Sequence, residues 1–294
     1  MKTLTALLLL CTFITASTIT QYETSLFCFT PKDQNETAVI RTFTQDGARR
    51  QLVVDTQTLQ TRLQSMVKSK GHPCGDSPYS RLLRQSITVP SPLQNDGITQ
   101  AQKGISVTTD LCPSSKEGFE RGLYEAMIQK FSHPVPVTLF ITGRWIEKHE
   151  QSFEQFLSWE KEHLLSITWG NHTYAHPYHP KAPLEKNFSL SQGYDLRNDT
   201  LKLEKMLLSR GLTPSIFFRF PGLVSDQKAV QTIHDLGLIT IGSDTWIAKG
   251  QKIKEGSIIL LHGNKNEPKG VEMFLEILNQ NKVKEIDSLD NILP

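Results

Sequence analysis

The sequence contains no long run of basic residues, and its 32 lysines and arginines nearly balance 30 aspartates and glutamates. Nucleic-acid-binding proteins concentrate positive charge in one segment or on one face, so nucleic acid is not an expected partner. Beyond the N-terminal segment, the sequence also contains no apolar run long enough to span a membrane. An apolar content of 38% and a charged content of 21% are ordinary for a globular protein with a substantial core.

The one strongly apolar segment lies at the N-terminus, where Lys2 precedes LTALLLLCTFITA. This run is too short to span a bilayer comfortably, and small and hydroxyl residues follow it from Ala16 to Thr18. The pattern is typical of a secretory signal peptide over residues 1–18. We therefore expect an exported protein, periplasmic or secreted, with no stable membrane span after cleavage. An uncleaved N-terminal anchor is the alternative.

Cysteine is scarce, with four residues in the chain. Cys11 lies in the predicted signal peptide, so the mature chain would keep three. In an oxidising compartment two of them can pair. We expect a bond between Cys28 and Cys74, because both lie in the N-terminal part of the chain. A free, buried cysteine is the alternative for any of the three, including Cys112.

Residues 19–100 predict a small α+β extension. Two β-rich runs flank Asp46-Gly47, a dipeptide favoured in tight hairpin turns. The segment 56–71 predicts a helix that ends at Gly71, because its apolar residues recur at helical spacing. Those residues are Leu59, Leu63, Met66 and Val67. A turn-rich stretch and a linker near residues 88–100 complete the extension.

Residues 101–294 alternate between strand-like and helix-like segments. The predicted strands are GISVTT, PVTLFIT, LLSITW, SIFFRF, LITIGS and GSIILLH. Strands that alternate with helices indicate an α/β fold with a parallel sheet. Six or seven such units over about 190 residues favour a closed or nearly closed (β/α) barrel, in which the chemistry lies at the C-terminal ends of the strands.

Five of these strands deliver polar side chains to the same predicted rim. The side chains are those of Asp110, His172, His176, Arg219, Asp244 and His262. Two imidazoles four residues apart on a helical turn can hold zinc, and imidazole also suits nickel and cobalt. A carboxylate can take a proton from a metal-activated water, and a further imidazole can protonate the leaving group. An arginine can keep that carboxylate ionised and oriented. The combination predicts metal-assisted hydrolysis of an ester or an amide.

Five short motifs follow one another over residues 103–293. They are Thr108-Thr-Asp-Leu-Cys112, His172-Thr-Tyr-Ala-His176, Arg219-Phe-Pro-Gly222, Asp244-Thr-Trp246 and Ile258-Ile-Leu-Leu-His262. In this order they resemble the NodB-type polysaccharide deacetylases, carbohydrate esterase family four. The second motif matches the family pattern H-[ST]-x-x-H in full, and it is the most specific of the five. The resemblance implies a distorted (β/α) barrel of the polysaccharide deacetylase type.

The resemblance also implies a role for each residue. Asp110 would be the catalytic base held by Arg219, and His262 would be the acid tuned by Asp244. His172 and His176 would bind a divalent metal, with zinc as the first expectation and cobalt or nickel as alternatives. Around the substrate, the backbone near Gly222 would stabilise an oxyanion. The residues expected to contact the substrate are Trp246 and Leu261, as walls of an acetyl pocket, and Tyr174 or Trp169, as a surface for a sugar ring.

The first motif departs from the family pattern T-F-D-D-G. Its second aspartate, the third metal ligand of the family, is replaced here by Leu111. Three interpretations remain open: two histidines suffice with water, Asp110 or Cys112 turns toward the metal, or the chemistry is lost. Side chains alternate along an extended segment, so Asp110 and Cys112 share the face opposite Leu111.

The function expected from these motifs is removal of acetyl groups from an extracytoplasmic polysaccharide. Peptidoglycan or an N-acetylglucosamine polymer is the first expectation, followed by an exopolysaccharide or an O-acetyl ester. The alternative is a catalytically impaired relative that binds carbohydrate in the same groove. A metalloprotease is disfavoured, because the sequence contains no H-E-x-x-H motif.

Overall fold

The computed structural model describes residues 16–67, 71–88, 94–114 and 116–293. The predicted signal peptide falls almost entirely on residues 1–15, outside the described residues, and part of the predicted linker does so too. In the part of the chain that is described, no helix has the length and apolar character needed to cross a membrane.

The N-terminal part forms a four-stranded antiparallel sheet in the order β1-β2-β3-β4. The strands are β1 (Ile19–Phe29), β2 (Thr37–Gln45), β3 (Ala48–Asp55) and β4 (Thr61–Ser65). The hairpin predicted at Asp46-Gly47 is confirmed: Gln45 pairs with Ala48, and both turn residues have positive φ, 48° and 81°. A two-residue turn of this kind needs positive φ at both positions, which Asp and Gly tolerate.

The helix predicted over residues 56–71 is wrong. Part of that segment is strand β4, in which Leu63 pairs with Leu52 of β3. The open edge of β3 offers backbone hydrogen bonds to this segment. These bonds outweigh the weak local preference for a helix that the spacing of its apolar residues indicated. The helix of this part, α1 (Pro78–Thr88), lies further along the chain, directly after the stretch that was expected to be rich in turns.

The second sheet has seven strands in the order β10-β11-β5-β6-β7-β8-β9, and every pairing in it is parallel. Its strands are β5 (Ile105–Leu111), β6 (Val135–Ile141), β7 (Leu165–Asn171), β8 (Phe217–Phe218), β9 (Ile239–Thr240), β10 (Thr245–Trp246) and β11 (Ser257–His262). The sheet curls into a half-barrel, which confirms the predicted distorted (β/α) barrel. The barrel is open, since β9 and β10 are the two edges of the sheet.

Helices separate the strands from β5 to β9 along the chain, and two further helices follow β11. They are α2 (Arg121–Lys130), α3 (Gly143–Lys148), α4 (Glu150–Lys161), α5 (Leu196–Ser209), α6 (Gln227–His234), α7 (Pro268–Asn279) and α8 (Leu289–Ile292). The side chains of Val107, Leu139 and Leu261 pack in one core cluster with those of α2, α4 and α7. Strand side chains alternate between the two faces, so the residues between these positions face the inside of the half-barrel. That inner face is where the polar side chains of β5 and β11 meet.

The N-terminal sheet and the half-barrel share a second core cluster, to which β2, β3 and α1 contribute together with β8, β9 and β11. A buried ion pair joins the two parts: Arg41 on β2 makes two 2.7 Å hydrogen bonds to the carboxylate of Glu204 on α5. The expected Cys28–Cys74 disulfide is confirmed, and it joins the end of β1 to the segment before α1.

Candidate active site

The site is built around the end of β5. In the parallel register of β11 and β5, His262 lies beside Asp110, so the last residue of β11 and the acidic residue of β5 meet at the same edge. Asp110 and Cys112 have the same parity and both face inward, as expected from strand alternation. Leu111 has the opposite parity and is fully buried in the outer core cluster. The position of the family's second aspartate is therefore filled by a core residue.

Arg219 lies fully buried inside the half-barrel and holds Asp110. Its Nη1 donates to Asp110 Oδ1 at 2.8 Å and to Thr108 Oγ1 at 2.7 Å. Its Nη2 and Nε donate to backbone carbonyls at 2.9 and 3.3 Å, and the guanidinium lies 4.1 Å from the ring centre of Phe140. Burial alone would raise the pKa of Asp110, but the Arg219 guanidinium together with the imidazoles of His172 and His262 outweighs burial and lowers that pKa. Asp110 is therefore held as a carboxylate.

Three potential metal-ligating atoms converge next to this pair. The side chains of Cys112, His172 and His176 each offer one atom, and the three atoms lie within 4.8 Å of one another. Cys112 Sγ lies 3.6 Å from His172 Nε2, which in turn is 3.8 Å from Asp110 Oδ2. The Nδ1 of His172 lies 2.8 Å from the carbonyl oxygen of Arg219. Because a carbonyl oxygen only accepts, Nδ1 carries a proton, and Nε2 is the nitrogen that faces the cluster.

The sequence suggested that the two histidines share a helical turn, and the structure shows that they do not. They lie on an irregular loop after β7, in which Thr173 and His176 have positive φ of 67° and 45°. This loop brings the imidazole rings to 5.0 Å between centroids. Within the described residues, Nε2 of His176 is buried and has no hydrogen-bond partner. A buried polar atom without a partner is rare and is a recognised feature of ion sites.

Electrostatics favour a thiolate in this cluster. Burial alone would raise the pKa of the Cys112 thiol, but the neighbouring imidazoles of His176, His172 and His262 lower it well below its usual range. Conversely, burial would lower the pKa of His172, but Asp110 and Cys112 raise it. The pocket therefore brings together a thiol and a carboxyl group, both with lowered pKa values, and three imidazoles.

His262 is oriented by Glu267, a residue that sequence reasoning missed. Its Nδ1 lies 3.0 Å from Glu267 Oε2, which also accepts a 2.7 Å hydrogen bond from the indole nitrogen of Trp246. Burial would lower the pKa of His262, but Cys112 and Glu267 raise it to about 10. Trp246 lies beside His262, as expected, with 6.0 Å between ring centres. No sequence motif marked Glu267, because it follows His262 in an irregular loop before α7.

Asp244 does not pair with His262, and the expectation that it does so is corrected. Its Oδ1 accepts hydrogen bonds of 3.0 Å from the backbone nitrogen of Ile258 and from the Thr245 hydroxyl. Ile258 lies near the start of β11, whereas His262 is its last residue. Four residues of extended chain cover roughly 13 Å, so the Asp244 carboxylate cannot reach the His262 ring.

The structure also corrects the expected substrate contacts. Leu261 faces the outer helices as part of the core cluster and does not wall the pocket. Trp169 is buried against Phe153, with 5.7 Å between ring centres. Tyr174 donates a hydrogen bond to Glu147, and the ammonium of Lys202 lies 3.5 Å from the centre of its ring. These contacts commit both aromatic rings to protein neighbours, so neither offers a free face to a sugar.

Gly222 lies in a short 3₁₀ turn (Pro221–Leu223) after Arg219, and it has a φ of 64°. A Cβ atom at this position would lie 2.6 Å from the ring of Phe188. Only glycine combines this backbone conformation with so close a neighbour. The turn therefore places Phe188 directly against the loop that carries Arg219.

The half-barrel thus places a buried Asp–Arg pair beside three side chains that could hold a metal ion. Residues 97–241 match the family model described as "Polysaccharide deacetylase". The matched segment, just under half of the chain, includes Asp110, Cys112, His172, His176 and Arg219.

Solved structures of family 4 carbohydrate esterases are similar to this chain. One from Bacillus anthracis is 20% identical, with 78% of this chain and 99% of that chain covered and a TM-score of 0.49. PdaA from Bacillus subtilis is 15% identical, with 75% and 91% covered and a TM-score of 0.48. Wild-type BA3943, a pseudoenzyme of the family from Bacillus anthracis, is 13% identical, with 92% and 89% covered and a TM-score of 0.47.

Proposed function

We propose that the protein is a metal-dependent deacetylase of an extracytoplasmic polysaccharide, such as peptidoglycan or an N-acetylglucosamine polymer. One observation carries the proposal: the potential ligand atoms of Cys112, His172 and His176 lie within 4.8 Å of one another beside the Asp110–Arg219 pair. The Cys28–Cys74 disulfide supports export, because such bonds persist in oxidising compartments.

The residues present fit a divalent cation. Two imidazole nitrogens and a thiolate are a donor set that zinc favours, and three protein ligands leave a position open, as in catalytic zinc sites. The unpartnered Nε2 of His176 and the hydrogen bond that fixes the His172 ring both suit ligation. Thiolate favours zinc over harder cations, while cobalt and nickel remain compatible with the imidazoles. In this proposal Cys112 takes the place of the ligand that Leu111 does not supply.

A cation bound there would supply Lewis-acid polarisation of water and of the acetyl carbonyl. The chain's own residues then handle the protons. Asp110, with Oδ1 held by Arg219, presents Oδ2 as the base that takes a proton from the attacking water. The acetyl C–N bond breaks as His262, kept protonated by Glu267, donates a proton to the sugar nitrogen. The products are acetate and a free amine on the sugar.

Leu111 favours a second candidate, a relative that binds glycan in the same groove without hydrolysing it. Binding alone requires neither the buried Asp110–Arg219 pair nor the His262–Glu267 pair, whereas hydrolysis requires both a base and an acid. The presence of both pairs in this chain supports the enzyme over the binding protein.

Acetate release from N-acetylglucosamine oligomers and from peptidoglycan tests the proposal. The mature protein is assayed as purified, after chelation, and after zinc or cobalt is added back, with Asp110→Asn as the inactive control. Release that disappears with the chelator and returns with the metal supports the deacetylase. No release by folded, zinc-loaded protein that still binds these glycans would favour the binding protein.

A further inference from the structure

The loop that carries His172 and His176 follows a path that its own residues do not favour. Thr173 has a β-branched side chain and a φ of 67°, a backbone conformation that such residues rarely adopt. Conformations of this kind persist only where neighbouring groups hold the backbone in place. The positions of both imidazoles therefore depend on contacts from outside the loop.

Asp199, in the first turn of α5, supplies contacts of this kind. Its Oδ2 accepts hydrogen bonds of 2.8 Å from the backbone nitrogens of both Tyr174 and Ala175. The same oxygen accepts a 2.6 Å hydrogen bond from the Tyr194 hydroxyl. Hydrogen bonds from backbone N–H groups to a carboxylate are charge-assisted and therefore stronger than those between neutral groups. One carboxylate oxygen thus holds two of the three residues between the histidines.

The start of the loop is held to the same helix through the buried Asn171. Its amide nitrogen donates a 3.0 Å hydrogen bond to the carbonyl oxygen of Thr200 on α5. Its side-chain oxygen accepts a 2.9 Å hydrogen bond from the backbone nitrogen of Thr173. Asp199 and Thr200 are neighbours on α5, so the same part of this helix supports the loop at its start and at its centre.

The N-terminal sheet fixes α5 in turn. Glu204, five residues after Asp199 on this helix, is buried, and its carboxylate accepts two 2.7 Å hydrogen bonds from Arg41 on β2. It also accepts a 2.7 Å hydrogen bond from the hydroxyl of Tyr22 on β1. Groups carried by an anchored helix are held more precisely than groups on a free loop. Asp199 is therefore well placed to set the position of the histidine loop.

We propose that Asp199 is a positioning residue of the metal site, which holds the backbone between His172 and His176 so that both imidazoles face one cation. The inference rests on the proposed function for the presence of that cation. Asp199 is not a ligand in this scheme and acts through the backbone alone. Its loss would leave the N–H groups of Tyr174 and Ala175 without their acceptor, and the loop would relax away from the ligand-binding path.

The test compares zinc affinity, by competition with a chelator, and the visible absorption spectrum of the cobalt-loaded protein, which reports the coordination geometry. Asp199→Ala removes the acceptor, whereas Asp199→Asn keeps an oxygen that can accept. Asp195→Ala is the matched control, because Asp195 caps the same end of α5 by accepting from the backbone nitrogen of Asn198 at 3.0 Å. Thermal unfolding of the metal-free proteins shows that each is folded and measures the stability lost.

We expect Asp199→Ala to lower zinc affinity about 10- to 100-fold, the effect of losing an outer partner of metal ligands. Its cobalt spectrum should differ from that of the parent, because the His176 ring moves. Asp199→Asn should recover most of the affinity. Asp195→Ala should lose stability but keep the affinity and the spectrum of the parent. If Asp199→Ala does not fold, Asp199→Ser replaces it with the same expected loss, since a serine hydroxyl is too short to reach both backbone nitrogens.

Equal zinc affinity and an unchanged cobalt spectrum in the variant without the acceptor overturn the inference, and so does a parent that binds no zinc. Acetate release by the parent is measured separately. A zinc affinity that depends on Asp199, without any release, would retain the positioning role and reject the deacetylase. Release by the parent, with equal zinc affinity in Asp199→Ala, would retain the deacetylase and reject the positioning role.

Discussion

Cys112 Sγ lies 3.6 Å from Nε2 of His172, one residue beyond the position where the family pattern has its aspartate ligand. Leu111 faces outward into the core, whereas Cys112, one residue later, faces the inside of the half-barrel. A short side chain on the inner face can reach the histidines, whereas Leu111 packs with the outer helices. The ligand set of this chain is thus expected to contain sulfur.

Replacement of that sulfur should weaken metal binding. We expect Cys112→Ser to lower zinc affinity by at least about 100-fold, since loss of a ligand exceeds the 10- to 100-fold effect of losing an outer partner. Bound zinc after dialysis against a competing chelator, measured by atomic absorption, gives the affinity. Ser114→Ala, two residues along, is the control and should keep its zinc. One tightly bound zinc in Cys112→Ser would exclude the thiolate as a ligand.

A lysine at position 219 should not support the activity that Arg219 supports. A lysine cannot reproduce the bonds that the guanidinium makes to Asp110, Thr108 and two carbonyls. We expect Arg219→Lys to reduce kcat/KM for acetate release about 100-fold or more. Because Arg219 lowers the pKa of Asp110, its loss should also move the acid limb of the pH–rate profile to higher pH.

Arg210→Lys is the matched control for this substitution, because Arg210 lies far along the chain from Asp110 and pairs near the surface with Glu150 at 3.4 Å, with its guanidinium 5.8 Å from the centre of the Phe153 ring. It should leave both the rate and the pH profile unchanged. An acid limb that stays in place in Arg219→Lys would mean that Asp110 does not titrate in that limb.

The pKa of His262 should depend on Glu267. In the folded protein this pKa is raised to about 10, above the usual value of about 6.5. The charged imidazolium therefore stabilises the fold fully below pH 6.5, and this contribution is lost as the pH rises toward 10. Glu267→Gln should lower the pKa of His262 and so narrow the pH range over which the imidazolium stabilises the fold. NMR titration of the ring signals in chelator-treated protein measures the shift, and the exposed Glu272→Gln on α7 should produce none.

The Arg41–Glu204 pair should be important for stability. Both side chains are buried, so Arg41→Met leaves a carboxylate without its counter-ion and should cost about 3–5 kcal/mol in the free energy of unfolding. The double substitution Arg41→Met with Glu204→Leu should recover most of that loss, because no buried charge remains. Urea unfolding with the disulfide intact measures both. Arg81→Met, which breaks an exposed pair with Asp76, should cost less than about 1 kcal/mol.

Local patterns were enough to predict several features. The turn at Asp46-Gly47 follows from the positive φ that these two residues accept, and the (β/α) barrel type of fold follows from strands that alternate with helices. The inward direction of both Asp110 and Cys112 follows from the period of two in a strand. Each of these depends on neighbours within a few residues, so the sequence itself contains the relevant information.

Contacts between distant segments decided the rest. Strand β4 formed where a helix was predicted, because the edge of β3 was available to pair with it. Glu267, rather than Asp244, holds His262, because the length of β11 separates Asp244 from the ring. Tyr174, expected to contact a sugar, instead contacts Glu147 and Lys202. Sequence spacing determined which residue types reach the rim of the barrel, and only tertiary packing determined which of them face one another.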